Sequence, residues 1–367
     1  MSTICLIPGD GVGREVVPAA AQVIAAALPH TRFVNAQAGW DCFVRSGTAL
    51  PQETVEAVRR TDATLFGATQ SPVTGVTPQP GGLPSEGNGN TTVYRSPILT
   101  LRRVFDLYAN LRPASPLAPN GCPIDLLIVR ENTEGLYSGR ERRDGDTAIA
   151  ERVITRQASE RIARVAFEQA RRRALRRDKA QSGLGAGSRG IKTTPRVTVV
   201  HKANVLKVTD GLFRESCLAV AKDYGDVQVD EMLVDATAMW LVRDPSRFDV
   251  IVTTNLFGDI LSDLAAGLVG GLGVAPSANV GDGPVGVFEP VHGSAPDIAG
   301  RGVANPMGAI ISAAMMLEHI DEPDAAALLR RAVRATVKAG LTTPDLGGVA
   351  TTSQVTASVC DIVRSYL

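Results

Sequence analysis

The chain holds a stretch, Asn255-Leu-Phe-Gly-Asp-Ile-Leu-Ser-Asp263, that could do acid or metal chemistry. It follows Asp249-Val-Ile-Val-Thr-Thr254, an apolar run rich in β-branched residues that predicts a buried strand. Leu256, Ile260, Leu261, Leu264 and Leu268 then recur at helical spacing. A strand, a tight turn and a helix would put Asp259 and Asp263 one above the other on a helix face. Two carboxylates held that way repel unless something positive sits between them. A hard divalent cation takes oxygen ligands and is often bound by one or two carboxylates plus substrate. The plainer reading is an acidic helix start favoured by the helix dipole. The stretch alone does not separate the two.

Other groups stand at the ends of apolar segments. Arg102, Arg112 and Arg130 each flank one. Arginine binds carboxylates bidentately, so three meeting in a pocket would suit a substrate with two or three carboxylates. Each taken singly also reads as a surface arginine. Tyr137 leaves a strand for a glycine-flanked turn, where a phenol could face a cleft or pack half-buried. Lys202 ends the strand at 196–201, where partial burial would disfavour its charged form, unless its head simply reaches water. Asp235 ends the strand at 227–234, the end at which an α/β sheet presents its chemistry.

The elements that must position these groups alternate. Strands are predicted at 3–8, 32–38, 63–66, 196–201 and 227–234, and helices at 14–27, 51–59, 154–174, 210–224, 306–317, 323–339 and 352–365. That alternation indicates an α/β fold with a largely parallel sheet. Ser96 and Pro97 predict a capped helix start, and Thr351 with Gln354 offers a capping box. Gly9-Asp10-Gly11-Val12-Gly13 has neither the Gly-x-Gly-x-x-Gly spacing nor a following Gly-Lys-Ser/Thr, so it reads as a glycine-shaped turn and not a nucleotide loop. The stretch 287–300 reads as a polar, turn-rich loop. Residues 67–94 are read as a long loop, either a mobile lid (its core at 75–94) or a disordered excursion, and 176–194 as a flexible basic insert.

Length and composition bound the rest. At 367 residues, 44% hydrophobic and 21% charged, the chain reads as an ordinary globular protein of one or two domains. Its net charge of zero gives nucleic acid or an anionic membrane no electrostatic support. Residues 171–196 carry nine Arg and Lys but no aromatic to stack on bases. No run reaches the ~18 apolar residues of a membrane helix, and the N-terminus has no basic segment of a secretory signal. Five scattered cysteines with no Cys-x-x-Cys argue for free thiols in a reducing cytoplasm.

Taken together, Gly9–Gly13, Leu101-Arg-Arg with Tyr108-Ala-Asn-Leu-Arg-Pro113, Arg130-Glu-Asn-Thr-Glu-Gly-Leu-Tyr137, His201-Lys-Ala-Asn204, Asn255–Asp263 and His292-Gly-Ser-Ala-Pro-Asp-Ile-Ala-Gly300 resemble the β-decarboxylating dehydrogenases. These are the isocitrate, 3-isopropylmalate, homoisocitrate and tartrate dehydrogenases. The resemblance implies a two-domain α/β fold of the isocitrate/isopropylmalate dehydrogenase type, not a Rossmann fold, with the active site in the interdomain cleft. The large NAD-binding domain would be 1–107 plus 270–367, and the small domain, with the dimer contacts, 108–269. A cytoplasmic homodimer or dimer of dimers with shared sites is implied, with no nucleic-acid or membrane partner.

The implied reaction is NAD(P)-linked oxidation of a (2R,3S)-type 2-hydroxy acid followed by loss of CO₂. Lys202 would be the base and Tyr137 the acid. Asp259 and Asp263, with Asp235 from a second copy, would hold Mg²⁺ or Mn²⁺. Arg102, Arg112 and Arg130 would hold the malate carboxylates, alongside Asn204. Asp297 and Ile298 stand where NAD-linked relatives carry Asp and NADP-linked ones Lys and Tyr; a carboxylate there favours ribose hydroxyls over a 2′-phosphate. Asn204, Glu289, His292, Gly293, Ser294, Ala295 and Asn305 are expected to line the NAD site. Arg95, Ser96 and Leu99 occupy the specificity positions. Arg95 replaces the isopropylmalate-type Glu, and the pattern is most similar to homoisocitrate dehydrogenases, with isocitrate, 3-isopropylmalate or another substituted malate as alternatives. A non-catalytic regulatory subunit of the same fold would lack the tyrosine or the aspartates; all are present.

Overall fold

A computed structural model describes residues 2–70, 94–117, 124–182 and 194–367. The expected lid at 75–94 and the end of the basic insert therefore lie largely outside the described residues, as does Cys122. In chain order the elements are β1 (Thr3–Gly9), α1 (Gly13–Ala27), β2 (Arg32–Asn35), α2 (Trp40–Ser46), α3 (Gln52–Arg60), β3 (Ala63–Ala68), α4 (Pro97–Val104), β4 (Ala109–Ala114), β5 (Leu126–Glu131), β6 (Glu141–Asp144), β7 (Thr147–Ala150), α5 (Arg156–Ser182), β8 (Arg196–His201), α6 (Thr209–Ala221), β9 (Gln228–Leu233), α7 (Val234–Arg243), β10 (Val250–Thr253), α8 (Asn255–Val269), β11 (Pro276–Val280), β12 (Gly286–Pro290), α9 (Met307–His319), α10 (Pro323–Lys338) and α11 (Thr352–Arg364). The fold is mixed α/β. The chain divides into two units, one of Met1–Leu107 and Val269–Leu367, the other of Tyr108–Pro116 and Cys122–Leu268, with Leu117 returning to the first.

In the first unit the strands run in the order β2-β1-β3-β12-β11. The first four are parallel and β11 is antiparallel to β12. Ile4, Cys5, Ile7, Leu65 and Phe66 are buried in this sheet, and the burial is continuous along the strands, as for a parallel sheet covered on both faces. The apolar α9 is buried along most of its length, and the two-sided burial of its Ala and Met residues explains why it carries little polar surface.

In the second unit the order is β4-β5-β10-β8-β9. β5, β10, β8 and β9 are parallel, and β4 is antiparallel to β5. The register pairs Thr253 with both Arg130 and Val200, and His201 with Leu233. Four strands therefore end close to one level: Arg130 is the last but one residue of β5, Thr254 and Lys202 directly follow β10 and β8, and Asp235 comes two residues after β9. This is the carboxyl end, where open α/β sheets carry their ligands.

Several expectations are corrected. α5 does not stop at 174 but runs to Ser182, so 176–182 is helix and not flexible insert. The cause is tertiary: Arg173 and Arg177, one turn apart, both donate to the fully buried Asp249. Asp235 sits in the first turn of α7, an element the strand reading overlooked. The stretch expected as loop from 287 begins as the buried strand β12. α2 was not anticipated either. Asp10, buried on the glycine turn, accepts the N–H groups of Trp40 and Asp41 at 2.6 and 3.1 Å, so this helix is capped from thirty residues away. Ser96 occupies the cap position of α4, but its side chain makes no cap bond. The capping box of Thr351 and Gln354 is present as expected.

Among the described residues, no helix is long and apolar enough to cross a membrane. Cys5, Cys42, Cys217 and Cys360 are free and buried. Burial pushes the Cys5 thiol up to about 12, which fits packing and not reactivity.

Candidate active site

The second unit gathers its charged groups on α8. Asn255, at the helix start, accepts both Nε and Nη2 of Arg130 on its Oδ1, at 3.1 and 2.7 Å. Its Nδ2 donates to the Glu134 carbonyl at 3.2 Å. Arg130 then lies across the first turn of the helix. A Cβ on Gly258 would come within 2.7 Å of the Arg130 Cβ and Cγ, so only glycine leaves room for this arginine. Its far end, Nη1, is ion-paired with Asp259. Arg130 is 1% exposed, so this pairing is obligatory: an unpaired guanidinium there would be strongly destabilising.

Arg112 arrives from β4. Its Nε donates to Asn110 at 2.7 Å and its Nη1 to Ser262 at 2.8 Å. The same Nη1 lies 3.2 Å from Asp259 Oδ1 and 3.2 Å from Asp263 Oδ1. The positive group that two stacked carboxylates require is thus, in this chain, a guanidinium. Compensation of Asp263 is incomplete. Its side chain is half exposed, and burial of the remainder, reinforced by Asp259, raises its carboxyl above the usual range despite Arg112. Tyr137, in a 3₁₀ turn (Leu136–Ser138), donates to Asp259 Oδ2 at 2.5 Å, and its ring lies under the Arg130 guanidinium at 5.1 Å. Burial, and then the bond to Asp259, raises its phenol above the ordinary value.

Two carboxylates offering only oxygen, one of them half exposed, fit a hard divalent cation. Among the described residues no third Asp, Glu, His or Cys joins them within the chain. Asp235 instead stands with Lys202, ion-paired to it, and this pairing lowers the Asp235 carboxyl. Lys202 is a quarter exposed and the neighbouring Asn204 is exposed in the turn.

The remaining residues singled out in the sequence belong to the first unit. Arg102 is 5% exposed and donates to Asn279 at 3.0 Å and to Glu289 at 3.3 Å. Asn279 also donates to Glu289, at 2.9 Å. Arg112 and Arg130 therefore meet on one carboxylate of α8, while Arg102 meets a glutamate of β12. Arg95 is exposed, and Ser96 and Leu99 are half-buried on α4.

The loop after β12 is shaped by backbone. Val12 N–H donates to the Ser294 carbonyl at 2.9 Å, and a Cβ on Gly11 would lie 2.0 Å from that oxygen. Ala295 adopts φ +39°, and Gly300 N–H donates to Glu15 at 2.7 Å. Within the loop, Gly293 and Asp297 are exposed and Ile298 is half-buried. His292 Nδ1 faces the Gly293 carbonyl at 3.0 Å, while its Nε2 is buried with no partner among the described residues. Burial lowers its pKa, so the ring is neutral. A buried, unpaired ring nitrogen in the loop that also carries the exposed Asp297 fits a polar ligand such as the ribose of a dinucleotide. Asn305 uses both ends of its amide inside the chain, on Met307 N–H and Asp345.

Sequence reasoning did not assign Asn110, Ser262 or Asp345 to these networks. Gly258 was the readable signal for the close passage of Arg130, since a glycine inside a helix marks an approach.

The profile of the isocitrate/isopropylmalate dehydrogenase family matches residues 3–363. The chain belongs to this family. It is 51% identical over 366 residues to the isocitrate/homoisocitrate dehydrogenase of Thermus thermophilus, covering 99% of this chain and 98% of the relative. It is 46% identical over 368 residues to the 3-isopropylmalate/3-methylmalate dehydrogenase of Methanocaldococcus jannaschii, covering 99% of each. Among solved structures, the isocitrate dehydrogenase of Methylococcus capsulatus superposes with a TM-score of 0.84 at 43% identity, over 99% of this chain and 100% of that one. The chain is therefore an oxidoreductase of the isocitrate, isopropylmalate and homoisocitrate type, and relatives of similar identity carry different substrate names.

Proposed function

We propose that the protein catalyses NAD-dependent oxidative decarboxylation of a (2R,3S)-malate substituted at carbon 3, with homoisocitrate as substrate and 2-oxoadipate, CO₂ and NADH as products. The observation that carries the reading is the meeting of Arg112, Arg130 and Tyr137 on Asp259, beside the half-exposed Asp263. Arginines at fixed positions suit the carboxylates of the malate core. Lys202 takes the hydroxyl proton as hydride leaves carbon 2. The bond from carbon 3 to its carboxylate then breaks, CO₂ departs, and Tyr137 returns a proton to carbon 3. A phenol, protonated at neutral pH and hydrogen-bonded to Asp259, suits that donor role.

Asp259 and Asp263, with Asp235 of a second copy, would hold Mg²⁺ or Mn²⁺, and a bound ion supplies Lewis-acid charge to the oxygen that becomes anionic. A homodimer or dimer of dimers with shared sites is part of the proposal, as Asp235 and Lys202 stand apart from the α8 carboxylates in the contacts of one chain. NAD would lie against the loop from His292 to Gly300, with Asp297 and Ile298 at the ribose. The exposed Asp297 has no ion-pair partner among the described residues and would repel a 2′-phosphate.

Isocitrate is the second reading, because the Thermus relative is named for both substrates. NADH formation from homoisocitrate, isocitrate, 3-isopropylmalate and tartrate, each with Mg²⁺ and with NAD or NADP, tests the proposal. Homoisocitrate with NAD should give the highest kcat/KM. A preference for 3-isopropylmalate would refute the reading of Arg95, Ser96 and Leu99, and a preference for NADP that of Asp297.

A further inference from the structure

We infer that Arg152 and Asp210 form a positioning pair that fixes the backbone of Lys202 relative to the start of α8; the inference rests on the proposed role of Lys202 as base. Asp210, in the first turn of α6, is fully buried. Each of its oxygens has a separate task. Oδ2 accepts the Lys202 N–H at 2.7 Å. Oδ1 accepts Arg152 Nη2 at 2.6 Å. That same Nη2 donates to Thr254 Oγ1 at 2.9 Å, on the residue just before α8. The Arg152 guanidinium lies 4.5 Å over the ring of Phe257, in the first turn of the helix.

The turn at Lys202 is closed from its other side as well. Val205 and Leu206 donate to the Lys202 carbonyl, and Asp210 N–H donates to the Leu206 carbonyl at 3.0 Å. Ala203 N–H donates to His201 Nδ1 at 3.1 Å. Lys202 thus has both backbone groups held, and its remaining freedom lies in a side chain that pairs with Asp235. Through Arg152 the same carboxylate reaches Thr254, and Asn255 next to it holds Arg130 against Asp259. One run of hydrogen bonds therefore joins the end of β8, where the base sits, to the end of β10, where the carboxylates begin.

A buried ion pair is by itself a weak source of stability, and apolar residues of equal volume often serve as well. An apolar residue at 210 could not accept the Lys202 N–H. The pair is thus suited to setting a position, and position is what turnover depends on: a displacement near 1 Å can cost about 100-fold in rate.

The test is made on the full-length protein with the best substrate of the four above. Asp210→Asn should lower kcat by roughly 10- to 100-fold. The KM for the nicotinamide cofactor should stay within about twofold, since the pair touches none of the cofactor loop. Combined with Lys202→Ala, whose residual rate is read from NADH accumulated over hours, the same change should alter the rate by less than about twofold. If Asp210→Asn does not fold by circular dichroism, Arg152→Lys takes its place; it keeps a charge on this side of Asp210, but its ammonium ends one bond short of the Nη2 that bonds both Asp210 and Thr254, and the same outcomes are expected. A folded variant with kcat within about twofold of the parent would overturn the inference, as would an equal loss with and without Lys202. Full activity of Lys202→Ala would overturn the role of Lys202 itself, and the positioning role with it.

Discussion

The α8 cluster of the second unit and the 292–300 loop of the first are held by opposite means. In the second unit side chains hold side chains: Arg130 is buried against Asn255 and Asp259, Arg112 bridges Asp259 and Asp263, and Lys202 pairs with Asp235. In the first unit backbone holds the loop: Val12 N–H on Ser294, Gly11 pressed against the same carbonyl, Gly300 N–H on Glu15, and Ala295 at positive φ. The difference fits the two tasks proposed for them. Charge that develops during a reaction is best met by charges fixed in advance. A large, uncharged-ribose ligand is best met by a shaped loop with a few polar points. Damage to the second unit should therefore lower kcat, and damage to the first should raise the cofactor KM.

The largest effect expected is that of Asp259→Asn. It keeps an acceptor for Arg130 but removes the charge at which Arg112, Arg130 and Tyr137 meet. Steady-state kcat should fall by at least about 100-fold and the divalent-ion requirement should weaken. Unchanged metal dependence would separate α8 from the chemistry. Gly11→Ala comes next. Gly11 has φ +53°, and a Cβ would lie 2.0 Å from the Ser294 carbonyl. Urea unfolding should show a loss of about 1–3 kcal/mol, with a raised KM for NAD and a nearly constant kcat. A kcat loss instead would mean that the loop does more than hold cofactor.

Asp297→Asn should be milder. Removing the carboxylate should shift the ratio of kcat/KM for NAD over NADP by about tenfold toward NADP, or roughly 1.4 kcal/mol. The smallest effect concerns Glu134, which accepts Thr155 N–H and Oγ1. Burial raises its carboxyl from the ordinary 4.5 to about 7, partly offset by Thr155. The folded state therefore binds this proton more tightly than the unfolded state. Its contribution favours folding at low pH and is lost as pH rises from about 4.5 through 7. Thermal melts should show Glu134→Gln gaining on the parent between pH 5 and pH 8. A gain in the opposite direction would contradict the burial argument.

Much of this arrangement was legible because it is local. Asp259 and Asp263 stack through helical spacing, the strand before them is β-branched, and Arg130, Lys202 and Asp235 follow apolar runs that end together in the sheet. What was not legible depends on partners far along the chain. The cation between Asp259 and Asp263 is Arg112, 147 residues before the first of them. The helix at Trp40–Ser46 is capped by Asp10. The basic tail of α5 looked solvated because Asp249, the acid it clasps, follows it by more than seventy residues. Asp210 had no role beyond starting the helix expected at 210–224, since nothing in its neighbourhood reveals Arg152 or that both oxygens are committed.

The central claim is that one reaction joins hydride transfer to loss of CO₂ at the carboxylates of α8. The most direct measurement is the stoichiometry of NADH and CO₂ formed from homoisocitrate with NAD, with Mg²⁺ present and after chelation. The account predicts one NADH for each CO₂, and neither once the divalent ion is withdrawn. NADH without CO₂, or full turnover in the presence of chelator, would contradict it.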